Sequence, residues 1–174
     1  MFHRQVGFTL IELLVVISII GTLASVVLAS LNSAREKAQI AAAQTEMQQI
    51  ARAFMVSQIN TGLPLFDITG SYCSGCPCRD AGDTRNIEET HICYTRAQHA
   101  FSVINTASDG MLDNFENNFR DPWGSPYRID ENELEYDDDP CRADLLLSHG
   151  PSGIAGGGDT LRLEMPFVTP ECAG

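Results

Sequence analysis

An α+β fold is predicted: a long N-terminal helix packed on a small antiparallel β-sheet, with a disulfide-stapled loop region. Three observations carry it. The chain has no proline before Pro64, and Gly21 is the only glycine between Phe8 and Asn60, so one helix over most of that span is the simplest reading. Residues 61–85 are rich in Gly, Pro, Ser and Asp around the cluster Cys73-Ser74-Gly75-Cys76-Pro77-Cys78, the composition of a loop with few apolar residues to bury. Past Asp121 come short strand candidates, among which Leu161 and Leu163 alternate with Arg162 and Glu164 as a half-buried strand does.

The helix has two halves. From Phe8 to Ala29 the one formal charge is Glu12, inside a run rich in Leu, Ile and Val. At about 1.5 Å per residue those positions make a helix on the order of 33 Å long, enough to cross a bilayer core of about 30 Å. A carboxylate at such depth costs about 2.5 kcal/mol or more and persists where it has a partner or a task. The next cation on the helix is Arg35, out of reach, so the partner of Glu12 must come from another chain or from a new terminus. Cleavage between Gly7 and Phe8 creates such a terminus, with a positive charge near neutral pH. The competing reading is a signal anchor whose Glu12 faces the headgroups and does nothing. Gly21-Thr22 is the weak point of the run, costing roughly 1 kcal/mol relative to alanine. Beyond Ser30 the helix turns amphipathic, with Ile40, Ala43, Met47, Ile50 and Phe54 forming a stripe on which a globular domain sits. Arg35, Glu36, Lys37 and Glu46 read as solvated surface.

The expected organisation is a leader over 1–7, a membrane-spanning half-helix over 8–30, an amphipathic half over 31–60 and one extracytoplasmic domain over 61–174. That domain comprises a Cys-rich loop (61–86), a helical segment (87–119) and an antiparallel sheet with a glycine-rich loop (121–174). Within it, Asp121-Pro122-Trp123-Gly124-Ser125-Pro126-Tyr127 marks a turn, with Trp123 as a large apolar anchor. Four strands are expected after it: Tyr127–Asp130, Glu133–Tyr136, Ala143–Ser148 and Thr160–Met165.

The 174 residues carry a net charge of −12; loss of residues 1–7 removes Arg4 and makes it −13. That balance argues against direct nucleic-acid binding, which needs clustered cations. The short basic leader places the N-terminus in the cytoplasm and the domain outside. An ordinary secretory signal cut after Val27-Leu28-Ala29 ranks below this, because Glu12 is misplaced in an apolar signal core.

Six cysteines in an exported domain point to disulfides. Cys141 with Cys172 would pin the C-terminal tail, and Cys73, Cys76, Cys78 and Cys93 would form two further bridges, an adjacent Cys76–Cys78 pairing being strained. The same four cysteines, or three of them with His91, have spacing that suits zinc, and Cys73-x-x-Cys76 suits redox chemistry, although the strand–helix context of a redox motif is missing. Ser148 and His149 are neighbours without a nucleophile elbow or an evident acid, and nothing reads as an enzyme.

The motif Gly7-Phe8-Thr9-Leu10-Ile11-Glu12, with a basic leader before it and an apolar run after it, resembles the processing site of type IV pilins and type II secretion pseudopilins. The resemblance implies a peptidase that cuts after Gly7 and methylates Phe8, and a Glu12 that pairs with a neighbouring subunit's N-terminus. The turn at 121–127 with the strands and glycine-rich loop after it is similar to the major pseudopilin of type II secretion. That likeness implies a calcium loop, although here Ser152 stands where those loops usually offer an aspartate, and Asp159 is the clear carboxylate; Asp137-Asp138-Asp139 could add charge from a neighbouring turn. Ala29 stands where many type IV pilins carry a kinking proline. The implied function is a structural filament subunit, made in the inner membrane and assembled as a helical homopolymer. Its implied partners are a prepilin peptidase/methyltransferase, an inner-membrane assembly platform and minor pilins. A pilus for adhesion, twitching or DNA uptake is the alternative within the family. A membrane-anchored binding module stabilised by disulfides is the alternative outside it.

Overall fold

The structure, a computed structural model, describes residues 7–115, 119–167, 169 and 172. The expected leader, apart from Gly7, lies outside the described residues. The chain divides into two compact units, at Ala38 and Gln39.

The helix α1 runs unbroken over Leu10–Thr61, Gly21 included. In the first unit every described residue from Gly7 to Ala38 is exposed. The hydroxyls of Ser18, Thr22 and Ser25 are nonetheless satisfied within the helix, donating to the carbonyls of Leu14, Ile19 and Gly21 at 2.9 Å each. These three side chains therefore offer no loose hydroxyl donor to an apolar surrounding.

The second unit begins on the amphipathic half of α1. Ala43, Met47, Ile50 and Phe54 are buried and Ile40 half-buried, the stripe expected from their spacing. Gly62, at φ 68°, closes the helix by donating to the Gln58 carbonyl, and Pro64 prevents its resumption. The loop that follows is more ordered than its composition suggests. It holds the short helix α2 (Leu65–Thr69) and a 3₁₀ turn at Cys76–Cys78.

Helix α3 (Ile92–Ala107) starts where His91 Nδ1 accepts the Cys93 N–H, five residues later than the apolar pattern from Ile87 suggests. Its buried face, Tyr94, Ala97, Phe101 and Ile104, meets Met47, Ile50 and Phe54 of α1 in one core. Phe119 stacks at 5.4 Å on Phe101 and lies 4.8 Å from Tyr94.

Among the described residues the sheet has three strands rather than four: β1 (Arg128–Asp130), β2 (Leu145–Ser148) and β3 (Leu161–Glu164), antiparallel in the order β1-β2-β3. The missing strand, Glu133–Tyr136, is a turn instead. The backbone N–H groups of Asn132 and Glu133 both donate to Asp144 Oδ1, and Leu134 takes φ 63°, so this segment's donors are spent on a side chain rather than a ladder. Register places Ile129, Leu146 and Leu163 in one cross-strand row on the core side, and Arg128, Leu147 and Arg162 in a row on the opposite face. Trp123 is only half-buried; the aromatic anchor of that turn is Tyr127, fully buried, whose hydroxyl donates to Glu46 Oε2 at 2.6 Å.

Candidate functional site

The N-terminal motif is built on a helix start. Thr9 donates its N–H and its hydroxyl to Glu12 Oε2, at 2.8 and 2.7 Å, and its Oγ1 accepts the Glu12 N–H at 3.3 Å. Thr9-Leu10-Ile11-Glu12 is thus a capping box, in which a threonine and a glutamate three residues on satisfy each other's free backbone N–H groups. The chain thus supplies hydrogen-bond donors to Glu12, though no cation. The signal was legible, a Thr-x-x-Glu just before an apolar run, and was missed because only cations were sought as partners. Both bonds fall on Oε2.

Around that carboxylate the surface is apolar on all sides. Phe8 is 89% exposed, Leu10 83% and Val26 71%, and the intervening Leu, Ile and Val side chains are exposed as well. A helix apolar all round requires lipid or other helices to cover it. Its length and apolar composition suit a membrane span.

The six cysteines form Cys73–Cys76, Cys78–Cys93 and Cys141–Cys172. The sulfurs that zinc would need are consumed, and His91 is occupied as the cap of α3, so the zinc reading does not hold. Cys78 and Cys93 are fully buried, which ties the 3₁₀ turn to the start of α3.

The glycine-rich loop brings Ser152 and Asp159 together. Ser152 donates its N–H to Asp159 Oδ2 at 2.7 Å and its hydroxyl to Oδ1 at 2.8 Å. Arg85 donates to the Pro151 carbonyl at 2.8 Å, and Asp83 grips the same guanidinium at 2.6 Å. That contact holds the Asp83 carboxyl down at about 2, and Ser152, with Arg85 beyond it, lowers Asp159 as well. Calcium asks for six to eight oxygen ligands free of protons. Here both oxygens of the loop's single carboxylate accept hydrogen bonds and a guanidinium already occupies one carbonyl. Asp137, Asp138 and Asp139 sit in a separate exposed turn. As bonded, the loop does not fit a calcium ion.

Ser148 and His149 point to different partners. Ser148 donates to Asp121 Oδ2 at 2.5 Å, while His149 Nδ1 lies 2.7 Å from Thr84 Oγ1. Burial, helped by Arg128, pulls His149 down to about 4, so it is neutral at ordinary pH and serves the interior.

Among families of known proteins, residues 3–28 match the model of the prokaryotic N-terminal methylation motif. No curated protein and no solved structure matches the chain. The match supports a type IV pilin-like family, one whose members are structural rather than catalytic. The motif implies processing by a prepilin peptidase and pilus assembly, and with the apolar helix it fits a membrane-anchored precursor.

Proposed function

We propose that the chain is a structural subunit of a type IV pilus-like or type II secretion pseudopilus filament. Residues 1–7 are the cytoplasmic leader, cut after Gly7; Phe8 becomes the methylated N-terminus. Residues 8–30 anchor the precursor in the inner membrane and then form the filament core, residues 31–60 carry the amphipathic half, and 61–174 is the domain displayed outside. The observation that carries this reading is the helix from Leu10 that is apolar on every side yet keeps one carboxylate in its first turn. Lipid covers such a surface before assembly and neighbouring copies cover it afterwards. Glu12, with Oε2 engaged by Thr9, offers Oε1 to a neighbour's amine, a pairing that is favourable where both charges leave water together.

The test is peptide mass analysis of the N-terminus in membrane and sheared-surface fractions, with filament yield measured for two variants. N-methylated Phe8 in both fractions is expected, with at least a tenfold drop in filaments for Glu12→Ala and a smaller one for Thr9→Ala, which loses the cap but keeps the carboxylate. A start at Met1 would overturn the processing. Equal losses for the two variants would overturn the pairing role and leave Glu12 as a helix cap.

A further inference from the structure

We propose that the outer face of the sheet forms a binding site for a small phosphomonoester, a dianionic oxyanion on an organic body. A cavity of about 370 Å³ lies there, lined by Arg79, Arg128, Arg142 and Arg162, with Asp130, Leu145, Leu147, Ala155, Gly156 and Thr160. Its volume is within the range of about 300–1,000 Å³ typical of small-molecule sites.

The site follows from the register. On each strand the residues facing away from the core are Arg128 and Asp130, Leu145 and Leu147, and Arg162 and Glu164, so two arginines flank Leu147 directly across the sheet. The Cys-rich loop adds the third. Gly75 donates its N–H to the Ile129 carbonyl at 2.8 Å, and a Cβ there would come within 2.8 Å of Arg128 Cβ and Cγ. The Cys73–Cys76 loop therefore lies flat on the Arg128 stem, and the 3₁₀ turn that leaves it delivers Arg79.

Four arginines lining one cavity are unusual in a chain with 11 basic residues and a net charge of −12. Among the described residues two carboxylates pair with them: Asp130 with Arg79 at 2.9 Å and Glu164 with Arg162 at 3.2 Å. Arg142 lies over the Tyr136 ring, 5.2 Å from its centroid, and Arg128, within the field of Asp130, has its one described side-chain hydrogen-bond contact with the neutral His149 ring at 3.4 Å. Among the described residues the four arginines thus outnumber the carboxylates paired with them by two, which suits a phosphomonoester at about −1.5 to −2 better than a single carboxylate.

A second, independent observation points the same way. Arg128 is 5% exposed, and its Nε is buried with no hydrogen-bond partner among the described residues. Thr160 Oγ1 is in the same condition, and both residues line the cavity. Buried donors without partners are costly, and both belong to residues that border the cavity in which the oxyanion would sit. Leu145, Leu147 and Ala155 give the organic part of the ligand an apolar floor.

The test uses the full chain in detergent at low ionic strength, titrated with inorganic phosphate and, separately, with glycerol 3-phosphate, by calorimetry and thermal shift. Saturable binding is expected, with a rise in melting temperature that grows with ligand. Tighter binding of the ester assigns the site to an organic phosphate; equal binding assigns it to the free ion and overturns the organic body. Arg162→Gln and Thr160→Val should each weaken binding at least fivefold, and Arg128→Gln more. Should Arg128→Gln fail to fold, the other two decide, since Arg162 is more than half exposed. Arg35→Gln, on the exposed helix, should leave binding unchanged. Absence of saturation, unchanged affinity in Arg162→Gln and Thr160→Val, or an equal loss in Arg35→Gln would each overturn the site.

Discussion

Asp144→Asn should raise stability at neutral pH while leaving it unchanged near pH 4. Asp144 is 4% exposed, and its Oδ1 accepts the N–H groups of Asn132 and Glu133 at 2.6 and 2.8 Å. Those bonds favour the carboxylate, but burial outweighs them, and the nearby Glu133 and Glu131 add to it, pushing the carboxyl up to about 7 from 3.8. The folded chain therefore holds this proton more tightly than the unfolded chain. Below about pH 4 both states are protonated and nothing is lost. As pH rises from about 4 to about 7 the unfolded state releases its proton first, and Asp144 subtracts from stability; above that the deficit is constant. At 1.36 kcal/mol per unit the shift amounts to about 4 kcal/mol, with about 2 kcal/mol as a lower figure after relaxation of the surroundings. Asparagine keeps the acceptor oxygen and removes the charge. Urea unfolding of the full chain in detergent, for both proteins at several pH values, gives the difference directly. His149 has the opposite sign: lowered from 6.5 to about 4, it contributes stability above pH 6.5 that is lost as pH falls through 4. It is present in both proteins and cancels in the difference. A difference that stays flat between pH 4 and 8, or an Asp144→Asn chain less stable than the parent at pH 8, would refute the reasoning.

Two further outcomes can be checked by unfolding. Replacing Cys78 and Cys93 by serine opens a link of sequence separation 15 and should cost about 3 kcal/mol, with about 3–4 kcal/mol for Cys141 and Cys172 at separation 31 and least for Cys73 and Cys76 at separation 3. Gly150→Ala should cost more than about 3 kcal/mol, since a Cβ there collides with the Asp159 carbonyl oxygen with φ at 67°; Gly156→Ala, with a similar φ of 73° but open space around it, should cost about 1 kcal/mol.

Periodicity made the long helix legible, because a stripe of Ile, Ala, Met and Phe at three- and four-residue steps has one efficient way to be buried. The same logic found Leu161–Glu164, whose alternation survives as an edge strand with half-buried leucines. It failed at Glu133–Tyr136, where the competing acceptor, Asp144, is 11 residues away from Glu133 and invisible to a local pattern. It failed again at Trp123, because residue size says how much a side chain gains by burial but not which of two neighbouring aromatics the core has room for. The anion site was out of reach for the same reason. Arg79, Arg128, Arg142 and Arg162 are spread over more than 80 positions, and only strand register and the Gly75 approach bring them to one cavity.

The capping box changes what the cleavage proposed after Gly7 would do. The Thr9 N–H belongs to the peptide that follows Phe8, so removing residues 1–7 leaves the box intact and the helix start unaltered. The new amine then lies next to the helix cap, at the positive end of the helix dipole. There a positive charge is disfavoured and a carboxylate favoured, each by about 0.3–1 kcal/mol. The isolated mature subunit thus carries an amine at the wrong end of its own helix and a Glu12 already committed through one oxygen to Thr9. A neighbour's carboxylate relieves the amine without competing with the cap. On the proposed assembly, pairing with a neighbour and helix initiation would use different oxygens of the same side chain, so that a glutamate three residues after a threonine could serve both.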